Sequence, residues 1–112
     1  MTEAEGCDLL YRVFTARGYE IARNVPVSLE GVSFSADGWD ARRRVGFEYL
    51  THASRDHVDL SAKEREGLEA LLEAGKVFVF VVDELDVGAP ADLEWAAQRF
   101  LDAVEARVGR PS

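Results

Sequence analysis

The chain has a single cysteine among 112 residues, Cys7, so no internal disulfide can form. That sets aside the disulfide-stapled secreted class and agrees with a reducing compartment. Cys7 falls within a predicted helix, where a small apolar filler is the ordinary role and a reactive thiol the rarer one. Long apolar runs are also missing. The longest, Val77 to Val82, is far short of the ~20 residues a membrane span needs. The opening MTEAEGCD is acidic and has no apolar signal core, and a cytoplasmic location is expected. Basic residues are in the minority, 13 Lys and Arg against 21 Asp and Glu, for a formal charge of −8. Tight, unaided binding to nucleic acid is disfavoured by that balance, because neutralising phosphates takes cations. The one basic cluster is Arg42, Arg43 and Arg44, a composition more often found at a solvated hairpin tip. Glycines are scattered at turns and helix ends, so there is no phosphate-cradling loop, and no Gly-x-Ser-x-Gly element supports a hydrolase triad.

With 47 % apolar and 30 % charged residues, the chain reads as one globular domain over 1–112. Leu10, Val13, Phe14 and Arg17 recur at helical spacing across residues 3–17, and Gly18 follows as a C-terminal stop. Residues 19–25 alternate as a short edge-like strand that Pro26 interrupts. Residues 31–40 and 44–51 are rich in β-branched and aromatic side chains and form a hairpin around the arginine turn. Residues 52–59 read as a loop. Ser61 and Glu64 have capping-box spacing ahead of a helix to about Ala74, with Leu68, Leu71 and Leu72 inward and Gly75 closing it. The run 77–82 fits a strand covered on both faces. The last helix starts near Pro90 with Leu93, Ala96, Ala97, Phe100, Leu101 and Val104 as its apolar stripe. The order α-β-β-β-α-β-α predicts an α/β fold, a mixed central sheet with helices on both faces and a right-handed crossover.

A turn centred near Arg42 and Arg43 sets Asp37 opposite Glu48 and Ala36 opposite Tyr49. Alternation then puts Ser35, Asp37, Glu48 and Leu50 on one face, and Phe34, Ala36, Phe47 and Tyr49 on the core face. Two carboxylates on adjacent strands are a hard-oxygen set of the kind that holds Mg²⁺ or Mn²⁺.

This element order, with Asp37 in one hairpin strand and Glu48-x-Leu50 in the other, resembles the restriction-endonuclease-like core, the PD-(D/E)XK nuclease superfamily. The resemblance covers nearly the whole chain through a short motif. It implies that Asp37 is the metal-binding Asp, with Asp40 the alternative, and that Glu48 is the Glu of the Glu-x-Lys pair. Glu5 is implied as the carboxylate of the first helix. In the family the divalent ion polarises the phosphodiester and generates hydroxide, and the lysine helps the attacking water and stabilises developing charge. Leucine at position 50 can do neither. A replacement cation would have to arrive from elsewhere, from His52, Lys63 or Lys76.

His52 and His57 lie near Asp56 and Asp59, a set chemically adequate for zinc but at no recognised zinc spacing. Trp95 falls off the stripe of the last helix and Trp39 falls beside Asp37 and Glu48, and both are expected to bind a partner if exposed. Burial against a neighbouring helix is the commoner fate of such a residue. The function expected from all this is a catalytically inactive nuclease-fold domain that acts by binding a protein. Its partner would be a basic protein or a second copy, with no membrane and little support for nucleic acid, and no cofactor is expected. The alternative is a Mg²⁺- or Mn²⁺-dependent nuclease using Asp37 and Glu48 with a displaced basic residue. An acidic nucleic-acid mimic or immunity protein is a further one.

Overall fold

Thr2 and Glu5 open the first helix, α1 (Glu3–Ala16), with a reciprocal capping box. The Glu5 amide donates to Thr2 Oγ1 at 3.1 Å and the Thr2 amide to Glu5 Oε1 at 3.1 Å. The structure, a computed structural model, describes residues 1–51 and 62–111. Gly18, at φ 99°, takes the left-handed conformation that closes α1. Its amide donates to Thr15 O at 3.0 Å and the Tyr19 amide to Phe14 O at 3.2 Å. Tyr19 is thereby part of the helix cap, its ring centroid 6.1 Å from that of Phe14. Strand β1 consequently spans Ala22–Leu29 and passes through Pro26, where a break after residue 25 is expected from the sequence. An edge strand absorbs a residue without an amide proton, and β1 is an edge.

β2 (Val32–Asp40) pairs antiparallel with β1 and with β3 (Val45–Leu50). Helix α2 (Ala62–Glu73) then leads into β4 (Phe78–Asp83), which lies parallel to β3 from Val45↔Phe78 to Leu50↔Asp83. A 3₁₀ turn at Glu84–Asp86 precedes α3 (Pro90–Val108). The sheet order is β1-β2-β3-β4, so the expected α/β class and mixed sheet are found. The segment 52–61, which includes the expected loop, His52, His57 and the Ser61 cap, lies outside the described residues.

Two apolar clusters flank the sheet. Leu10, Val13 and Phe14 of α1 and Leu93, Ala97, Leu101 and Val104 of α3 pack with Val45, Phe47, Tyr49 and Val82. On the other face Leu68 and Leu71 of α2 pack with Val27, Phe34, Ala36, Trp39, Leu50, Val77 and Val79. β3 is central and covered on both sides, and every one of its six residues is buried.

One expectation about faces is corrected. Phe34 and Ala36 belong to the α2 cluster, whereas Phe47 and Tyr49 belong to the α1–α3 cluster. The physical reason is a break in alternation at one level of the β1–β2 ladder. Arg23 reaches Asp8 and Tyr11 of α1, yet Val25, two residues on, packs in the α2 cluster. Between them Asn24 sits at φ 54°, and the ladder skips its pairing with Asp37. Beyond that level the hairpin turns toward α2. Phe34 meets the edge of Trp39 with centroids 5.8 Å apart, and Glu30 at the tip reaches Lys76 at 3.1 Å.

β4 is less covered than its apolar sequence suggests, because it ends the sheet. Val81 is 39 % exposed, and Phe78 and Phe80 are half-buried.

Candidate functional site

The β2–β3 ladder pairs Asp40↔Val45, Trp39↔Gly46 and Gly38↔Phe47. The next pair in the same register is Asp37 with Glu48, as the turn at Arg42–Arg43 requires. The ladder stops there. The Tyr49 amide donates to Asp37 Oδ2 at 2.7 Å, so the side chain of Asp37 does what a strand carbonyl would otherwise do.

Helix α1 brings its first turns to the same place. Gly6 lies flat on the Tyr49 ring, where a Cβ would come within 2.5 Å of the ring carbons. That close approach sets Glu3 and Cys7, one helical turn apart, beside Asp37. Ligand atoms of Glu3, Cys7 and Asp37 all lie within 4.8 Å of one another. The carboxylates of Glu3 and Asp37 suit a hard divalent cation, and Cys7 would be a softer third donor. Glu48, although opposite Asp37 in register, is not a member of that group; it is 2 % exposed on the strand side that carries Leu50.

The electrostatics of the cluster follow from its crowding. Burial, reinforced by the negative charges of Asp37, Glu3 and Glu48 and opposed by Arg23, pushes the Cys7 thiol from 9.0 up to about 12. Tyr49 is also raised, by burial first and then by Glu84, Glu3 and Asp83 among its neighbours. Glu3, Asp37, Glu48, Asp83 and Glu84 thus gather at the end of the sheet where β3 and β4 finish.

Asp40, the alternative metal ligand, is spoken for. It is 3 % exposed, Oδ1 accepts the Arg42 and Arg43 amides at 3.1 and 3.0 Å, and Oδ2 accepts the Glu20 amide at 3.0 Å. A carboxylate engaged by three backbone donors organises the turn. Glu5 is corrected in the same way, since its carboxylate closes the capping box and Glu3 holds the place at the cluster.

Leu50 is 8 % exposed and sits in the α2 cluster with Leu68, Leu71, Val77 and Val79. Of the suggested replacement cations, Lys76 is paired with Glu30, and Lys63 lines a groove with Gly31, Val32 and Gly67. His52 lies outside the described residues, as does the His57–Asp59 zinc idea. Arg65 of α2, which sequence reasoning passed over, lines a groove with Leu50, Glu69, Asp83 and Asp86.

The tryptophans separate. Trp39 is 5 % exposed and belongs to the core, so its expected role on a contact surface is corrected. Trp95 is 66 % exposed, with the Arg99 guanidinium 5.7 Å from its ring centroid. Arg42 and Arg44 are exposed and Arg43 half-buried at the turn that Asp40 caps, consistent with a hairpin tip.

Sequence reasoning missed Glu3 and Cys7. The signal was present, because Thr2-x-x-Glu5 is a capping box that removes Glu5 and leaves Glu3 and Cys7 at i and i+4 on one helical face. No family model, no curated protein and no solved structure matches the chain. Among the described residues no helix is long and apolar enough to cross a membrane.

Proposed function

We propose that this chain is a restriction-endonuclease-like domain that has lost hydrolysis and works by binding another protein. The observation that carries the reading is the place of Leu50. It stands where the family has lysine, and its side chain is part of the packing between α2 and the sheet. A cation there would give up water for aliphatic neighbours. The neighbouring Glu48 is buried, and Asp40 serves the turn. A binding role fits the remaining surface. Trp95 and Arg99 present an amphipathic anchor on α3, and the charge of −8 favours a basic partner.

Leu50→Lys tests this. The variant should lose about 3 kcal/mol or more in urea unfolding and gain no Mg²⁺- or Mn²⁺-dependent cleavage of DNA or RNA. A variant of unchanged stability that acquires cleavage would place position 50 in a working site and overturn the reading.

The pairing of Glu3 with Asp37 favours a second reading, a divalent-metal nuclease. Glu3 and Asp37 would hold the ion, which would polarise a phosphodiester and acidify a bound water. Arg65, beside Leu50, would be the cation available to a developing negative charge. Calorimetric Mn²⁺ titration of the wild type beside Asp37→Asn separates the two. Saturable binding that the variant loses supports the second reading, and no binding in either removes it.

A further inference from the structure

The two edges of the sheet are built differently. β1 carries Arg23, Pro26 and a positive-φ Asn24, devices that keep a strand edge from recruiting another strand. β4 carries none. Residues 77–82, VFVFVV, contain no charge, proline or glycine, and among the described residues nothing pairs with the outer edge of β4.

The polarity of that edge follows from one bond. The Phe78 amide donates to Arg44 O at 2.9 Å, so the even-numbered residues of β4 turn their peptide groups toward β3. The peptide groups of Val79 and Val81 then face outward. Apolar surface accompanies them on both sides of the sheet. Phe80 packs 5.2 Å from Phe100, Phe78 lies under Arg107, and Val81 borders the groove with Leu50 and Leu72.

We propose that the outer edge of β4 docks β4 of a second copy, antiparallel about a two-fold axis through Phe80, joining two sheets into one. Two-fold pairing must set outward peptide groups opposite one another, so Val79 of each copy exchanges both bonds with Val81 of the other. Just past the ends of the ladder, Lys76 of one copy then lies near Asp83 and Glu84 of the other. A parallel arrangement would set Lys76 against Lys76 and Asp83 against Asp83. Charge therefore selects the antiparallel partner. Lys76 is about half-exposed while paired with Glu30, and it sits within side-chain reach of that edge. The inference rests on reading the domain as one that binds protein, and it adds a second copy as a partner at the β4 edge, apart from the Trp95–Arg99 surface.

Light scattering on a sizing column, run over a concentration series to about 100 µM, tests it. The wild type should dimerise. Val81→Pro removes an outward donor and no bond to β3, and it should give a monomer with the wild-type far-ultraviolet spectrum. Lys76→Glu should weaken the dimer about tenfold, and Lys76→Glu with Glu84→Lys should restore it. The rescue keeps the test decisive if Val81→Pro fails to fold. A wild type that stays monomeric, or a dimer indifferent to both the proline and the charge reversal, overturns the proposal. Either result leaves the binding reading standing, since that reading is tested by metal-dependent cleavage and not by oligomeric state.

Discussion

Asp37 and Asp40 lie three residues apart on β2 and do opposite work. At the turn end of the hairpin Asp40 is buried and accepts three backbone amides, from Glu20, Arg42 and Arg43. At the other end Asp37 accepts the Tyr49 amide and stands against Glu3 and Cys7, with Glu48 opposite in register. The residue type is the same and the strand is the same. What differs is the supply of backbone donors. Where the chain turns sharply, orphaned amides surround a carboxylate and fix it; where two strands part, the neighbours are other acids. A carboxylate's role is read from the donors around it.

The comparison can be broken by substitution, and the effects should fall in order. Asp40→Ala leaves three amides without their acceptor in a half-buried turn and should cost about 3–5 kcal/mol in urea unfolding at unchanged slope. Asp37→Ala removes the acceptor for Tyr49 and also relieves repulsion from Glu3, so its cost should be about 1–2 kcal/mol. If the two costs are equal, the contrast between the two ends is wrong. Glu3→Gln, at an exposed helix start, should change stability by no more than about 0.5 kcal/mol.

A pH series sharpens the same contrast. The folded state holds the Cys7 proton more tightly than the unfolded chain does, at about 12 against 9.0. Its stabilising contribution is complete below pH 9 and is lost as the pH rises through about 12. The wild type should therefore lose stability with rising pH across that window more steeply than Cys7→Ala does. Parallel curves would mean that neither burial nor the acids around Cys7 raise its thiol.

Much of this architecture was legible in the sequence. The helix of Leu10, Val13 and Phe14, the closing Gly18 and Gly75, the arginine hairpin and the stripe of α3 are local patterns, and each determines a local structure. The register of the hairpin was also legible, because the position of the turn sets Asp37 opposite Glu48. The faces of β2 were not. Alternation reverses at Asn24 and Asp37, and a left-handed backbone at one asparagine leaves no periodic trace. Trp39 misled for another reason, since it shares the face of Leu50 as expected but α2 buries that face. Phe34, five positions back, joins it in the α2 cluster only because of the reversal. The roles of Asp40 and Glu5 depended on backbone donors, of which only the capping box of Glu5 was written in the sequence. Leu50 was read as standing where the resembled family has lysine; that it packs against α2 needed the fold.

The most direct measurement is cleavage by the purified wild type beside Asp37→Asn, with Mg²⁺ and with Mn²⁺, on duplex DNA, single-stranded DNA and RNA. A domain with position 50 in its core should show no metal-dependent cleavage above that of the variant. Cleavage by the wild type that disappears in Asp37→Asn would contradict the account and make the Glu3–Asp37 cluster an active site.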